Sequence, residues 1–175
     1  KEATDRKVGH KFSTLTKIAP IRAEESEEKR SVVGERMQRT EATDIRSLGE
    51  RTFEFPFSSE YPVTRYFGSE VLSHDSKAPN FMRLNDGAPF LFNHNPDKVL
   101  GVVERAYLDE DKKRAYAKIR FSRSDFAKQY LNDVKDGILR GISFGYSIDE
   151  VEQREEGVLA TSWTPHELSL VSIPA

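Results

Sequence analysis

The chain has 175 residues with 27 basic and 29 acidic side chains, a formal net charge of −2, so its composition builds no strong field toward nucleic acid or a membrane surface. It contains no cysteine, which excludes disulfides and thiolate chemistry and suits a reducing compartment. No apolar stretch is long enough for a transmembrane helix or a signal peptide, and the length fits one domain with a real core plus an extension.

The first fifty residues stand apart in composition. Stretches such as Glu24-Glu25-Ser26-Glu27-Glu28-Lys29-Arg30 and Arg36-Met37-Gln38-Arg39 are charged, with few aromatics and no clear amphipathic period. Residues 1–50 therefore read as a charged N-terminal arm, flexible or loosely helical: a solvated linker, or else a docking or self-cleaved segment. The chain opens on Lys1 rather than methionine and stops abruptly after its last strand pattern at Ala175, as expected of part of a longer or processed product.

From residue 51 the pattern turns β-rich. Phe53, Phe55 and Phe57 alternate with Glu54 and Pro56, a strand whose proline favours an edge position. Pro89-Phe90-Leu91-Phe92 is an apolar run that ends in Asn93-His94-Asn95, followed by a turn-forming Asn95-Pro96. Val99 to Leu108 and Arg114 to Phe121 flank Asp109-Glu110-Asp111-Lys112-Lys113, a polar hairpin connection. Ser124 can cap a helix bearing Phe126, Ala127, Tyr130, Leu131 and Val134 at helical spacing, with Gly137 as its stop. The apolar stripe of that helix is core packing rather than a binding box.

Gly141-Ile142-Ser143-Phe144-Gly145-Tyr146-Ser147-Ile148 carries the strongest chemical signal. Extended, it places Ile142, Phe144, Tyr146 and Ile148 on a core face, and Gly141, Ser143, Gly145 and Ser147 on a nearly bare one. A polypeptide could approach the Ser143 hydroxyl there without meeting a side chain. Gly-x-Ser-x-Gly also matches a nucleophile elbow, but the residues that follow keep a period of two instead of starting a helix. Glu155-Glu156-Gly157 turns into a last hairpin strand ending in Pro165-His166-Glu167-Leu168-Ser169-Leu170-Val171. A histidine, a serine and an acid, each on or beside a strand, are the inventory for acyl transfer.

Taken in order, Asn93-His94, Val99-Leu100-Gly101-Val102-Val103, Asp136-Gly137-Ile138-Leu139 leading into Ile142-Ser143-Phe144-Gly145-Tyr146, and Glu167-Leu168-Ser169-Leu170-Val171 with Ile173-Pro174-Ala175 resemble the caudovirus prohead serine protease family. The resemblance runs from about Phe53 to Ala175. It implies a catalytic domain over residues 51–175 with a fold similar to herpesvirus assemblin. The expected fold class is mainly β with peripheral helices, a small, mostly antiparallel β-barrel.

Position by position, the resemblance makes Ser143 the nucleophile and His94 the general base. Glu167 matches the glutamate of the family's closing strand, whereas assemblin-like relatives use a second histidine, which His166 could supply. Strand alternation puts His166 and Glu167 on opposite faces, and the apolar Leu168 and Leu170 mark the His166 face as the more buried, which favours Glu167.

The implied activity is a serine endopeptidase that processes phage scaffold and capsid proteins, and itself, inside the assembling procapsid in the host cytoplasm. Implied partners are major capsid and scaffold polypeptides and a second copy of the chain, with no nucleic acid and no membrane. The alternative is a catalytically inactive capsid-assembly or scaffolding domain on the same fold. No cofactor or metal is implied: His10, His74, His94 and His166 show no His-x-x-x-His spacing and no cysteine accompanies them. Tyr66, Phe67 and Arg65 could stack on bases, but no basic stripe runs through the β-rich region.

Overall fold

The computed structural model describes residues 32–42 and 44–173. The charged stretch from Glu24 to Arg30 and His10 lie outside the described residues.

All ten strands among the described residues join one sheet. They are β1 (Arg36–Ala42), β2 (Arg46–Ser47), β3 (Thr52–Ser59), β4 (Val63–Arg65), β5 (Gly68–Leu72), β6 (Pro89–Phe92), β7 (Asn95–Asp109), β8 (Arg114–Phe121), β9 (Gly141–Arg154) and β10 (Gly157–Val171). The helices among the described residues are the short α1 (Met82–Asn85) and α2 (Asp125–Lys135). Strand order is β1-β9-β10-β6-β7-β8-β3-β2, with β5 on β10 and β4 on β5. Pairing is antiparallel except where β10 meets β5 and β6.

This order corrects the expected barrel. The path runs openly from β1 to β2, and no ladder joins its two ends. Register shifts in β3–β8, β6–β7, β7–β8 and β9–β10 mark bulges, which bend strands without closing them. The sheet curls far enough for Phe57 of β3 to meet Phe144 of β9 edge-to-face at 5.3 Å, though the two strands are not neighbours.

Parts of the segment expected to be an arm are built into the sheet instead. Residues 36–42 pair with β9 and residues 46–47 with β3, so both belong to the sheet. Charge gives little warning here, because an edge strand needs only backbone groups on the pairing side and can carry polar side chains outward.

Local chemistry explains the other elements. Phe53, Phe55 and Phe57 are buried, while Pro56 sits at a bulge beyond the reach of the two-residue β2, where no neighbour needs its missing N–H. The Ser124 side chain accepts the Ala127 N–H at 3.2 Å to cap α2, and Gly137 ends the turn at φ 71°. Ala127, Leu131 and Val134 face the core. Trp163, fully buried, packs near Phe81, Phe144 and Tyr146 and donates its indole N–H to Ser73 O at 2.8 Å. His74 is a core histidine, with ring nitrogens at Leu72 O and Ser58 Oγ.

Candidate active site

The site grows from a two-residue turn. Phe92 of β6 pairs with Asn95 of β7, leaving Asn93 and His94 between them at φ 50° and 57°. Positive φ at both central residues gives the twist that a tight hairpin requires. Glycine would normally occupy the second position, so a histidine there carries backbone strain of roughly 1–2 kcal/mol. The sequence reading puts the turn at Asn95-Pro96; the structure places it two residues earlier, and Asn95 opens β7.

Hydrogen bonds tie this turn to β10 and to Ser172 just beyond it. Asn93 donates its N–H to Leu170 O at 2.9 Å, Asn93 Oδ1 accepts from Ser172 N at 3.2 Å, and the His94 N–H is accepted by Ser169 Oγ at 3.1 Å. Parallel pairing of β6 with β10 brings the two segments side by side. The histidine is thereby carried to β10 and, across it, to β9.

On β9, Ser143 stands opposite Ser169 and Gly145 opposite Glu167. The His94 ring spans the two strands. Its Nδ1 lies 2.6 Å from Glu167 Oε1 and its Nε2 lies 2.8 Å from Ser143 Oγ. A carboxylate only accepts, so Nδ1 carries a hydrogen toward Glu167, and in the neutral ring Nε2 is left to accept from the hydroxyl. Ser169 Oγ donates to the other oxygen, Glu167 Oε2, at 2.8 Å. The histidine and glutamate side chains are only 17% and 19% exposed, so water competes little for these bonds.

The structure thus brings together Ser143, His94 and Glu167. His166 does not join them. It is the extra residue of a bulge, since Pro165 pairs with Tyr146 and Glu167 already with Gly145. The bulge also corrects the expectation of opposite faces. His166 Nε2 lies 3.1 Å from Ser147 Oγ, a side chain of the Ser143 row, so one extra residue turns it toward that row, well along the strand from His94. Burial first, then the charges of Arg83 and Arg36, hold the His166 imidazole below its usual range.

The row expected to be bare is covered. Ser143 is 1% exposed, and its hydroxyl oxygen also lies 2.8 Å from the Arg39 carbonyl oxygen of β1. The sequence reading assigned no role to Ser169 or Arg39. Ser169 was within reach of strand alternation, two residues from Glu167; the Arg39 contact depends on a strand pairing that composition hides.

Beneath the site, Tyr146 donates to the buried Glu70 at 2.5 Å and accepts from Arg65 Nη2 at 2.8 Å, and Arg65 Nε faces Glu70 Oε2 at 3.5 Å. Burial, then the Glu70 carboxylate, pushes the Tyr146 phenol well above its usual range and keeps it a donor. This cluster ties β4 and β5 to β9 three residues beyond Ser143. Among the described residues no group of histidine, aspartate or glutamate side chains could hold a metal ion, and no helix is long and apolar enough to cross a membrane.

The chain is 44% identical over 126 residues to the major capsid protein of Halomonas phage phiHAP-1, a match covering 67% of this chain and 21% of that protein. It is 32% identical over 96 residues to the capsid polyprotein of Pseudomonas phage PAJU2, covering 50% of this chain and 14% of that one. It therefore spans only a small part of the length of both relatives. Its fold matches the capsid assembly protease gp21 of bacteriophage T4 with a TM-score of 0.54, at 12% identity, over 80% of this chain and 98% of that one. Residues 67–175, from the end of the β4–β5 turn through the His94 hairpin and both site strands, match the caudovirus prohead serine proteases, and the chain belongs to that family.

Proposed function

We propose that this chain is a serine endopeptidase of capsid maturation, cutting phage scaffold and capsid polypeptides and itself within the assembling procapsid in the host cytoplasm. The observation that carries the reading is the unbroken relay from Glu167 Oε1 through the His94 ring to Ser143 Oγ, at 2.6 and 2.8 Å. His94 Nε2 takes the hydroxyl proton as Ser143 Oγ attacks the scissile carbonyl carbon. The C–N bond then breaks, and the proton passes to the leaving amine. Water repeats the sequence on the acyl-enzyme and frees the serine. Glu167 holds the ring in the required tautomer and stabilises the imidazolium as it forms.

The relatives bear on the substrate. In two of them the segment similar to this chain is a minor fraction of a protein named as capsid protein or capsid polyprotein. A capsid segment carried on the same polypeptide is thus a natural first substrate, presented at high local concentration.

The test is co-expression with the procapsid proteins, comparing the natural sequence with Ser143→Ala by intact mass. Discrete truncations that disappear in the variant are the expected result. Unchanged masses in assembled particles of both would assign the chain to an inactive assembly domain instead.

A further inference from the structure

Ser143 has one proton and two claimants for it. Arg39 O and His94 Nε2 each lie 2.8 Å from its oxygen. If the hydroxyl donates to Arg39, Nε2 has to donate to Oγ; with Nδ1 already donating to Glu167, the ring is then a full imidazolium and cannot act as base. If the hydroxyl donates to Nε2, two oxygens face each other at 2.8 Å with no hydrogen between them. The relay is chemically ready only when the Arg39 carbonyl is elsewhere.

That carbonyl belongs to β1, an end strand held on the outer edge of β9 by antiparallel pairing from Arg36–Ser147 to Ala42–Gly141, with Thr40 opposite Ser143. Its approach is built into the chain. Gly34 at φ 87° turns the backbone into β1 and donates its N–H to Ile148 O at 2.8 Å. Arg65 Nη2 donates to Gln38 O at 2.9 Å, and Arg39 Nη2 donates to Tyr61 O. Arg39 is 4% exposed, and Met37 packs against the core. A strand edge pairs with one extended segment at a time, so any polypeptide reaching Ser143 along β9 meets β1 already in place.

We propose that the β9 edge beside Ser143 is a docking surface for one extended polypeptide segment, that residues 36–42 are its resident in the free chain, and that a polypeptide to be cut enters by displacing them. This rests on the protease reading and adds its regulation. The free chain is held idle by its own strand, and a substrate presented at high local concentration, as inside a shell, competes best for the edge.

The experiment follows a fluorophosphonate, which bonds to an activated serine, by intact mass and peptide mapping. It compares the natural full chain with Arg39→Pro/Thr40→Pro. Adjacent amides of a strand point to opposite edges, so one of the two prolines removes a donor facing β9. Both chains are checked by circular dichroism. In parallel, hydrogen exchange of residues 36–42 is read in the natural chain before and after labelling. The expected result is labelling at Ser143 at least tenfold faster in the double variant, and loss of β1 protection once Ser143 carries the adduct. Equal labelling rates in two folded chains, or β1 amides that stay protected after labelling, would overturn the inference while leaving Ser143 reactive and the protease reading intact. Self-cleavage of the natural chain between Arg39 and Thr40 would overturn it as well, because the contact would then be productive. Absence of label from both chains would remove the protease reading itself, and the inference with it.

Discussion

Gly145 lies directly opposite Glu167, and a methyl group on Gly145 would stand 2.8 Å from Glu167 Oε1, the oxygen that meets His94. The missing side chain is the space in which the carboxylate sits. Gly145→Ala should push that carboxylate off the ring, lowering kcat by about 100-fold, with little change in stability because the atom that must move is the far end of a flexible side chain. Turnover of a peptide bearing a mapped cleavage site, together with urea unfolding, checks both.

Ser169 is a positioning residue, joining Glu167 Oε2 to the backbone N–H of His94. Ser169→Ala removes two hydrogen bonds of about 1 kcal/mol each. The expected outcome is a fall in kcat of roughly 10- to 100-fold with KM nearly unchanged, and partial recovery in Ser169→Thr, which keeps the hydroxyl. A serine with a purely structural role would instead lower the melting temperature and leave kcat per folded molecule alone.

The strained turn separates stability from chemistry. Both His94→Ala and His94→Gly lose the proposed general base, and both should be inactive. Only glycine relaxes the φ 57° backbone, so His94→Gly should be more stable than His94→Ala by about 1 kcal/mol. Equilibrium unfolding of the two variants measures the difference directly.

His166 predicts a pH effect on stability that is distinct from any effect on activity. Its folded imidazole resists protonation, chiefly through burial, whereas in an unfolded chain an imidazole protonates near about 6.5. Below that value the unfolded state binds more protons, so stability falls as pH drops from about 6.5 toward the lower folded value, and is undiminished above it. His166→Gln, which can still bond Ser147, should flatten this part of the profile. Melting temperatures between pH 8 and pH 5 make the comparison.

What could be read from the sequence was what depends on local periodicity. The phenylalanine alternation of β3, the capped helix from Ser124 and the core face Ile142, Phe144, Tyr146 and Ile148 follow from side-chain spacing and backbone chemistry that operate within a few residues. The candidates His94, Ser143 and Glu167 were visible as residue types on strand-like segments.

Their meeting was not visible in that way, because it depends on pairing between distant segments. The parallel β6–β10 contact brings the Asn93–His94 turn beside Ser169, and the β9–β10 register sets Glu167 over Gly145. One inserted residue, His166, shifts the register so that Glu167 lies opposite Gly145 and reaches the histidine, and period-two counting cannot count a bulge. The placement of β1 on Ser143 was equally hidden, since an edge strand bonds through backbone amides and carbonyls that every sequence possesses. The sequence by itself determined which residue types were available and which faces were apolar; the curl and register of the sheet decided that three of those residues form a relay and that a fourth segment covers it.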